Sequence, residues 1–181
     1  MNETYKVQVQ DLVDDLKAVF THAGLGGEAG EYKLLTQSFL YKFLNDKFLY
    51  QAKVLDESNT YENLLVMGED DYDWLLEDIG TSTAWLKPDQ LIETLHRQQN
   101  EATFYESFEN TLNQIAIDNN DIFSVHTDGD TAIRLFDERL ITDTISDSSK
   151  RNEVAKAIIN LLARVKFDET IFSQGFDFFS T

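Results

Sequence analysis

The chain has no cysteine, a single proline, eight glycines and only 15 Lys or Arg among 181 residues. Without cysteine there are no disulfides and no thiolate metal ligands, which suits a reducing compartment. No apolar run approaches the ~20 residues that a membrane helix needs. The opening residues, Met-Asn-Glu-Thr-Tyr-Lys, lack the basic-then-apolar pattern of a secretory signal. A cytoplasmic protein without membrane contact is therefore expected. Catalytic signatures are missing too. His22, His96 and His126 are scattered, none pairs with another at i, i+4, and neither H-E-x-x-H nor G-x-S-x-G occurs.

What remains is acidic and aromatic. There are 33 Asp or Glu, a net charge of −18, 13 Phe, 7 Tyr and 2 Trp. At this length one domain is expected, burying about two-thirds of its unfolded surface. Nucleic-acid affinity comes largely from Lys and Arg displacing phosphate counterions, so a chain this acidic is expected to bind DNA poorly by itself. Three readings of the charge stand side by side: acidic solubility, a domain held near DNA by basic partners, and a DNA mimic.

The periodicity is helical throughout, and the fold class expected is all-α: one compact domain of about seven helices with at most a very short strand pair. Leu12, Val13, Leu16, Val19 and Phe20 form one face of a first helix from Thr4 to Phe20. Four glycines between 24 and 30 break it. Gly24-Leu-Gly-Gly-Glu-Ala29 loosely fits a nucleotide loop, but a helix precedes it where a strand is required, so a helix breaker or hinge is the better account. A long helix then runs to about Val54, with Tyr32, Leu35, Phe39, Phe43 and Phe48 at helical spacing, widened by Leu34, Leu40, Leu44 and Leu49. This spacing is that of a core face rather than of a base-stacking platform, although Lys33, Lys42 and Lys47 are interleaved.

Between Val54 and Leu86 there are nine Asp or Glu and no Lys, Arg or His. The aromatics within this stretch argue for one or two short helices with an acidic outer face rather than a disordered tail. Pro88 suits a first helical turn, with Leu91, Ile92 and Leu95 inward after it. Thr103-Phe-Tyr-Glu106 matches a capping box opening a helix with Phe104, Phe108, Leu112 and Ile115 inward. Ile122 to Val125 reads as a very short strand or as irregular chain, and 126–130 as a turn. Helical spacing resumes from Thr131 to Ile141, Asp143 to Ser149 is a polar linker, and Asn152 to Val165 is amphipathic. Asp118-Asn-Asn-Asp121 and Asp128-Gly-Asp130 miss the EF-hand register and read as polar turns. The most basic local stretch is Lys150, Arg151, Lys156, Arg164 and Lys166. These five are the candidate partner- or DNA-facing surface, weighed against a plain solvated helix face.

Taken together, Glu31-Tyr-Lys…Phe39-Leu-Tyr-Lys-Phe-Leu-Asn-Asp-Lys-Phe48, the aromatic-acidic middle with Trp74 and Trp85, and Phe167-Asp-Glu-Thr-Ile-Phe…Gly175-Phe-Asp-Phe-Phe-Ser-Thr181 resemble the start of the methylation subunit of type I DNA restriction-modification systems. The resemblance implies an N-terminal helical domain over 1–166, with 167–181 beginning the connection to a catalytic domain outside this sequence. It implies an adenine-N6 methyltransferase whose full-length subunit uses S-adenosylmethionine and flips its target base. It also implies a specificity subunit, a second methylation subunit and a restriction subunit as partners, with DNA met only inside the complex. The family's cofactor loop and Asn-Pro-Pro-aromatic motif do not occur here. One proline excludes a Pro-Pro pair, so no catalytic, cofactor or metal residues are expected in this segment. The aromatic terminus suggests a cut chain, whereas a self-contained acidic inhibitor is the alternative.

Overall fold

The computed structural model describes residues 3–123, 135–167 and 169–173. Within them the chain is all-α, with no strand among the described residues. The helices are α1 (Glu3–His22), α2 (Ala29–Leu55), α3 (Tyr61–Val66), α4 (Glu69–Ile79), α5 (Ile92–Arg97), α6 (Phe104–Asp118), α7 (Asn120–Phe123), α8 (Leu140–Thr144), α9 (Ser148–Arg164) and α10 (Thr170–Ser173), with a 3-10 turn at Pro88–Gln90. This exceeds the expected seven because α7, α8 and α10 are too short to leave a full helical period in the sequence.

The 27-residue α2 is the axle of the molecule, about 40 Å long at the standard rise. Residues 40–45 are buried without interruption. Six consecutive residues cover more than a full turn, so the middle of α2 is enclosed on every side rather than along one stripe. It touches α1, α4, α8 and α9, while α9 also packs on α1, α5 and α6. The expected α2 stripe holds from Leu34 onward. Tyr32 departs from it, 71% exposed, because it lies on the side of α2 opposite Gly30 and Leu34, which face the neighbouring helices. Gly24 and Gly27, both at positive φ, make the turn from α1. Gly30 lets the start of α2 approach α8, since a Cβ there would lie 3.1 Å from Thr144 Cγ2.

Residues 80–91 are mostly non-helical yet partly buried, so their backbone groups need side-chain partners. Tyr41 donates its hydroxyl to the Gln90 carbonyl at 2.6 Å, and Tyr72 donates to the Leu86 carbonyl. Asn119 brackets Trp85, accepting from its N–H at 2.7 Å and donating to its carbonyl at 2.9 Å. Burial, reinforced by the nearby Asp89 charge, holds the Tyr41 and Tyr72 phenols above their ordinary range, in keeping with their role as donors.

Four local expectations are corrected. The Thr103 side chain makes no capping bond. Instead Asn152, reaching across from α9, accepts the Tyr105 N–H at 3.0 Å and donates to the Ala102 carbonyl at 2.6 Å. Residues 135–139 are bends and turns rather than helix, and α8 starts only at Leu140, where Glu109 supplies a cap. Residues 143–144 and 148–149 belong to helices, which shortens the expected linker. Ile122 and Phe123 lie in α7, not in a strand. Ser124, Val125, the 126–130 turn with His126, Asp128 and Asp130, residues 131–134 and the aromatic terminus from Gly175 lie outside the described residues. Phe167, Ile171 and Phe172 join the same core as the helices before them. Phe167 sits edge-on to Tyr5 at 5.6 Å, and Phe172 packs on Phe43 and Tyr50, each at 5.6 Å.

If Asn152 is the cap of α6, Asn152→Ala lowers stability by about 1–2 kcal/mol, the usual size of a lost cap. Thr103→Ala lowers it by less than about 0.5 kcal/mol, as for surface changes. Urea denaturation of the two variants checks the pair. A larger loss at Thr103 restores the local capping box.

Candidate functional site

Charge is taken out of water at two places among the described residues, and the first is one face of α2. Lys42 and Asp46, one turn apart, form an ion pair at 3.0 Å with side chains only 5% and 16% exposed. Lys42 also donates to the carbonyl of Val165, the residue that ends α9, where a cation complements the negative end of the helix. Its ammonium lies 5.5 Å from the centre of the Phe167 ring. Asp46 accepts from Asn45 Nδ2 at 3.0 Å and from the Phe167 backbone N–H. Asn45 Oδ1 in turn accepts the Ile92 N–H at 2.9 Å, at the start of α5. Three side chains of α2 thus hold the α9–α10 connection and the α5 start together. Burial pushes the Asp46 carboxyl above its ordinary range, against the pull of Lys42, Asn45 and Phe167. Beside this hub lies an open cleft of about 490 Å³, bounded by Tyr50, Tyr61, Ile92, Lys166 and Phe172. The hub's polar groups point at one another, which makes it a structural clamp.

A second charged group caps α8 from both ends. The buried Glu109 carboxylate accepts the Ile141 and Thr142 N–H groups, each at 3.0 Å, and the Thr142 hydroxyl at 2.8 Å. At the other end Arg151 Nε donates to the Ile145 carbonyl at 2.8 Å. The anion sits at the positive helix start and the cation at the negative end, as the helix dipole requires.

The five basic residues singled out in the sequence are therefore not one patch. Arg151 is turned inward onto α8, with its guanidinium 5.7 Å from the Tyr105 ring centre. Arg164 faces Asp15 on α1 at 3.7 Å. Lys150 is exposed at the start of α9, Lys156 is half-buried, and Lys166 is exposed beyond the helix end. Lys150 and Arg164 are fourteen residues apart on α9, about 21 Å along its axis.

The acidic limb is the opposite case: its charges are gathered and outward. Glu69, Asp70, Asp71, Asp73, Glu77 and Asp78 of α4 are all exposed, while Tyr72, Leu75, Leu76 and Ile79 face the core. None of the six is in an ion pair among the described residues. In their midst Trp74 is 66% exposed. The sequence placed Trp74 among the limb's apolar residues. Its angle on the helix, opposite the Tyr72–Ile79 stripe, was the readable signal that it faces out. Among the described residues no His, Cys, Asp or Glu group is arranged to hold a metal ion, and no helix is long and apolar enough to cross a membrane. Compared with protein-family models, curated proteins and solved structures, the chain matches none.

Removing one partner of a buried ion pair leaves an uncompensated charge. Asp46→Ala is thus expected to cost about 3–5 kcal/mol, and the double replacement Lys42→Met with Asp46→Leu much less. Equilibrium unfolding of the two variants tests this. A double variant as unstable as Asp46→Ala would show that the pair contributes by more than mutual neutralisation.

Proposed function

We propose that this chain is the N-terminal assembly and DNA-clamping domain of the methylation subunit of a type I restriction-modification adenine-N6 methyltransferase, inactive by itself. S-adenosylmethionine binding and methyl transfer would belong to a catalytic domain outside these residues. The single observation that carries the reading is the acidic limb: nine carboxylates from Val54 to Leu86 without one cation. Six of them are displayed on α4 with no ion-pair partner among the described residues. Such a field repels DNA phosphates and steers the domain toward a basic protein surface. The resemblance of residues 31–48 and of the aromatic terminus names the system in which an acidic helical domain meets basic, DNA-holding partners. The absence of a gathered catalytic constellation in the sequence fits a domain that assembles rather than reacts. The acidic-inhibitor alternative has less support, because the densest group of exposed carboxylates sits on the single short helix α4 rather than at regular, phosphate-like spacing along an extended track.

The reading is tested by co-expressing the tagged chain with the specificity subunit and methyltransferase catalytic domain encoded beside it. A stoichiometric complex that survives size exclusion at physiological salt, and loosens as salt rises, is expected. Elution of the chain alone from every such combination overturns the reading.

A further inference from the structure

We infer that the outer face of α4 around Trp74 is a docking surface for an arginine-bearing segment of a basic protein partner. The inference rests on the assembly reading and gives it a location. Its first element is an exposed aromatic. Trp74 projects from the middle of α4, 66% exposed, opposite the buried Tyr72, Leu75, Leu76 and Ile79. Another large apolar side chain on the same limb, Val66 at the end of α3, is 82% exposed.

The second element is where the charges sit. On a helix the neighbours of a residue are those three and four positions away. For Trp74 these are Asp70, Asp71, Glu77 and Asp78, all exposed carboxylates. The indole is thus framed by acids on both sides along the helix.

The third element is electrostatic and independent of composition. Glu69, Asp70 and Asp71 lie in the first turn of α4, where the helix dipole favours anions, so helix stability alone explains them. Glu77 and Asp78 lie in the last turn, where the dipole is negative, and that turn has no basic residue. Glu69 with Asp73, and Asp73 with Glu77, add like-charge neighbours four apart. No ion pair among the described residues relieves this. A cation arriving from outside does.

The geometry selects arginine over lysine. A planar guanidinium stacks on an indole face while its edge donates in pairs to flanking carboxylates, whereas an ammonium acts as a point charge. The Arg97 guanidinium already shows this arrangement inside the molecule, 4.9 Å from the Tyr61 ring centre and in ion pairs with Glu62 and Glu93.

The test uses the full chain labelled with 5-fluorotryptophan, whose two resonances, from Trp74 and Trp85, are assigned with Trp74→Phe. A short alternating Arg-Gly peptide is titrated in, with a Lys-Gly peptide of equal length for comparison. Saturable movement of the Trp74 resonance alone is expected, with the Arg peptide about 3-fold or more tighter than the Lys peptide. Trp74→Ala, which lacks the reporting resonance and is therefore titrated by isothermal calorimetry beside the unsubstituted chain, is expected to weaken the Arg peptide about 5- to 10-fold, within the range of a cation–π contact. Glu77→Gln with Asp78→Asn weakens it likewise, whereas neutralising the exposed Asp11 and Asp121 changes it less than about 2-fold, as screened distant charges should. Equal losses from both acidic pairs, or an unchanged affinity for Trp74→Ala, would mean diffuse attraction to net charge and overturn the docking face. Because Trp74 is mostly exposed, the variants keep their helical circular dichroism, so lost binding is not lost folding. If the co-expressed complex forms while this test fails, the docking face is wrong and the assembly reading stands. If the peptide binds as expected and no complex forms, the reverse holds.

Discussion

The buried Lys42–Asp46 pair is the constraint around which the rest of the fold is arranged. Taking two charges out of water costs more than their attraction returns unless the remaining donors and acceptors are also satisfied. Here they are, by main-chain groups of the segments that must converge on α2: the Val165 carbonyl, the Phe167 N–H and, through Asn45, the Ile92 N–H. An apolar pair would bury as well but would accept many registers. The ion pair loses its Val165 partner if α9 ends elsewhere, which favours this register.

The same economy governs α8, which is too short to hold its own shape in water. Glu109 and Arg151 replace its missing helical neighbours at opposite ends, each with the sign the dipole demands. These internal uses of charge bear on function. Two of the 15 cations, Lys42 and Arg151, are spent inside the fold, and Lys33, Lys87, Arg97 and Arg164 are engaged with acids at the surface. The carboxylates of α4 receive none of them. The outside of the molecule is thus more one-sidedly acidic near α4 than the net charge of −18 conveys.

Much of the architecture was legible in the sequence. Helical spacing located α1, α2, α6 and α9, and Phe104, Phe108, Leu112 and Ile115 are buried as their period requires. The acidic limb was legible as one or two short helices, and it forms two, because its aromatics kept a core-facing period. What escaped was everything decided by distant partners. Thr103 and Glu106 satisfy a local capping pattern, yet Asn152, from a helix far along the chain, takes the cap instead. Lys42 was one of three lysines interleaved with the α2 aromatics, with nothing local to set it apart, and only the convergence of α9 on α2 buries it. Arg151 belonged to a basic run in sequence but points into the fold, because the α8 carbonyls lie on its side of α9.

The central functional claim is that this chain is drawn to basic protein and not to DNA. The direct measurement is fluorescence anisotropy of a labelled duplex titrated with the 181-residue chain at physiological salt. Phosphate contacts supply most of non-specific affinity and this surface offers few cations, so no saturable binding is predicted up to about 10⁻⁴ M. Saturable binding with a Kd below about 10⁻⁶ M would contradict the account. It would mean that Lys150, Lys156 and Lys166 outweigh the acidic field in which they sit.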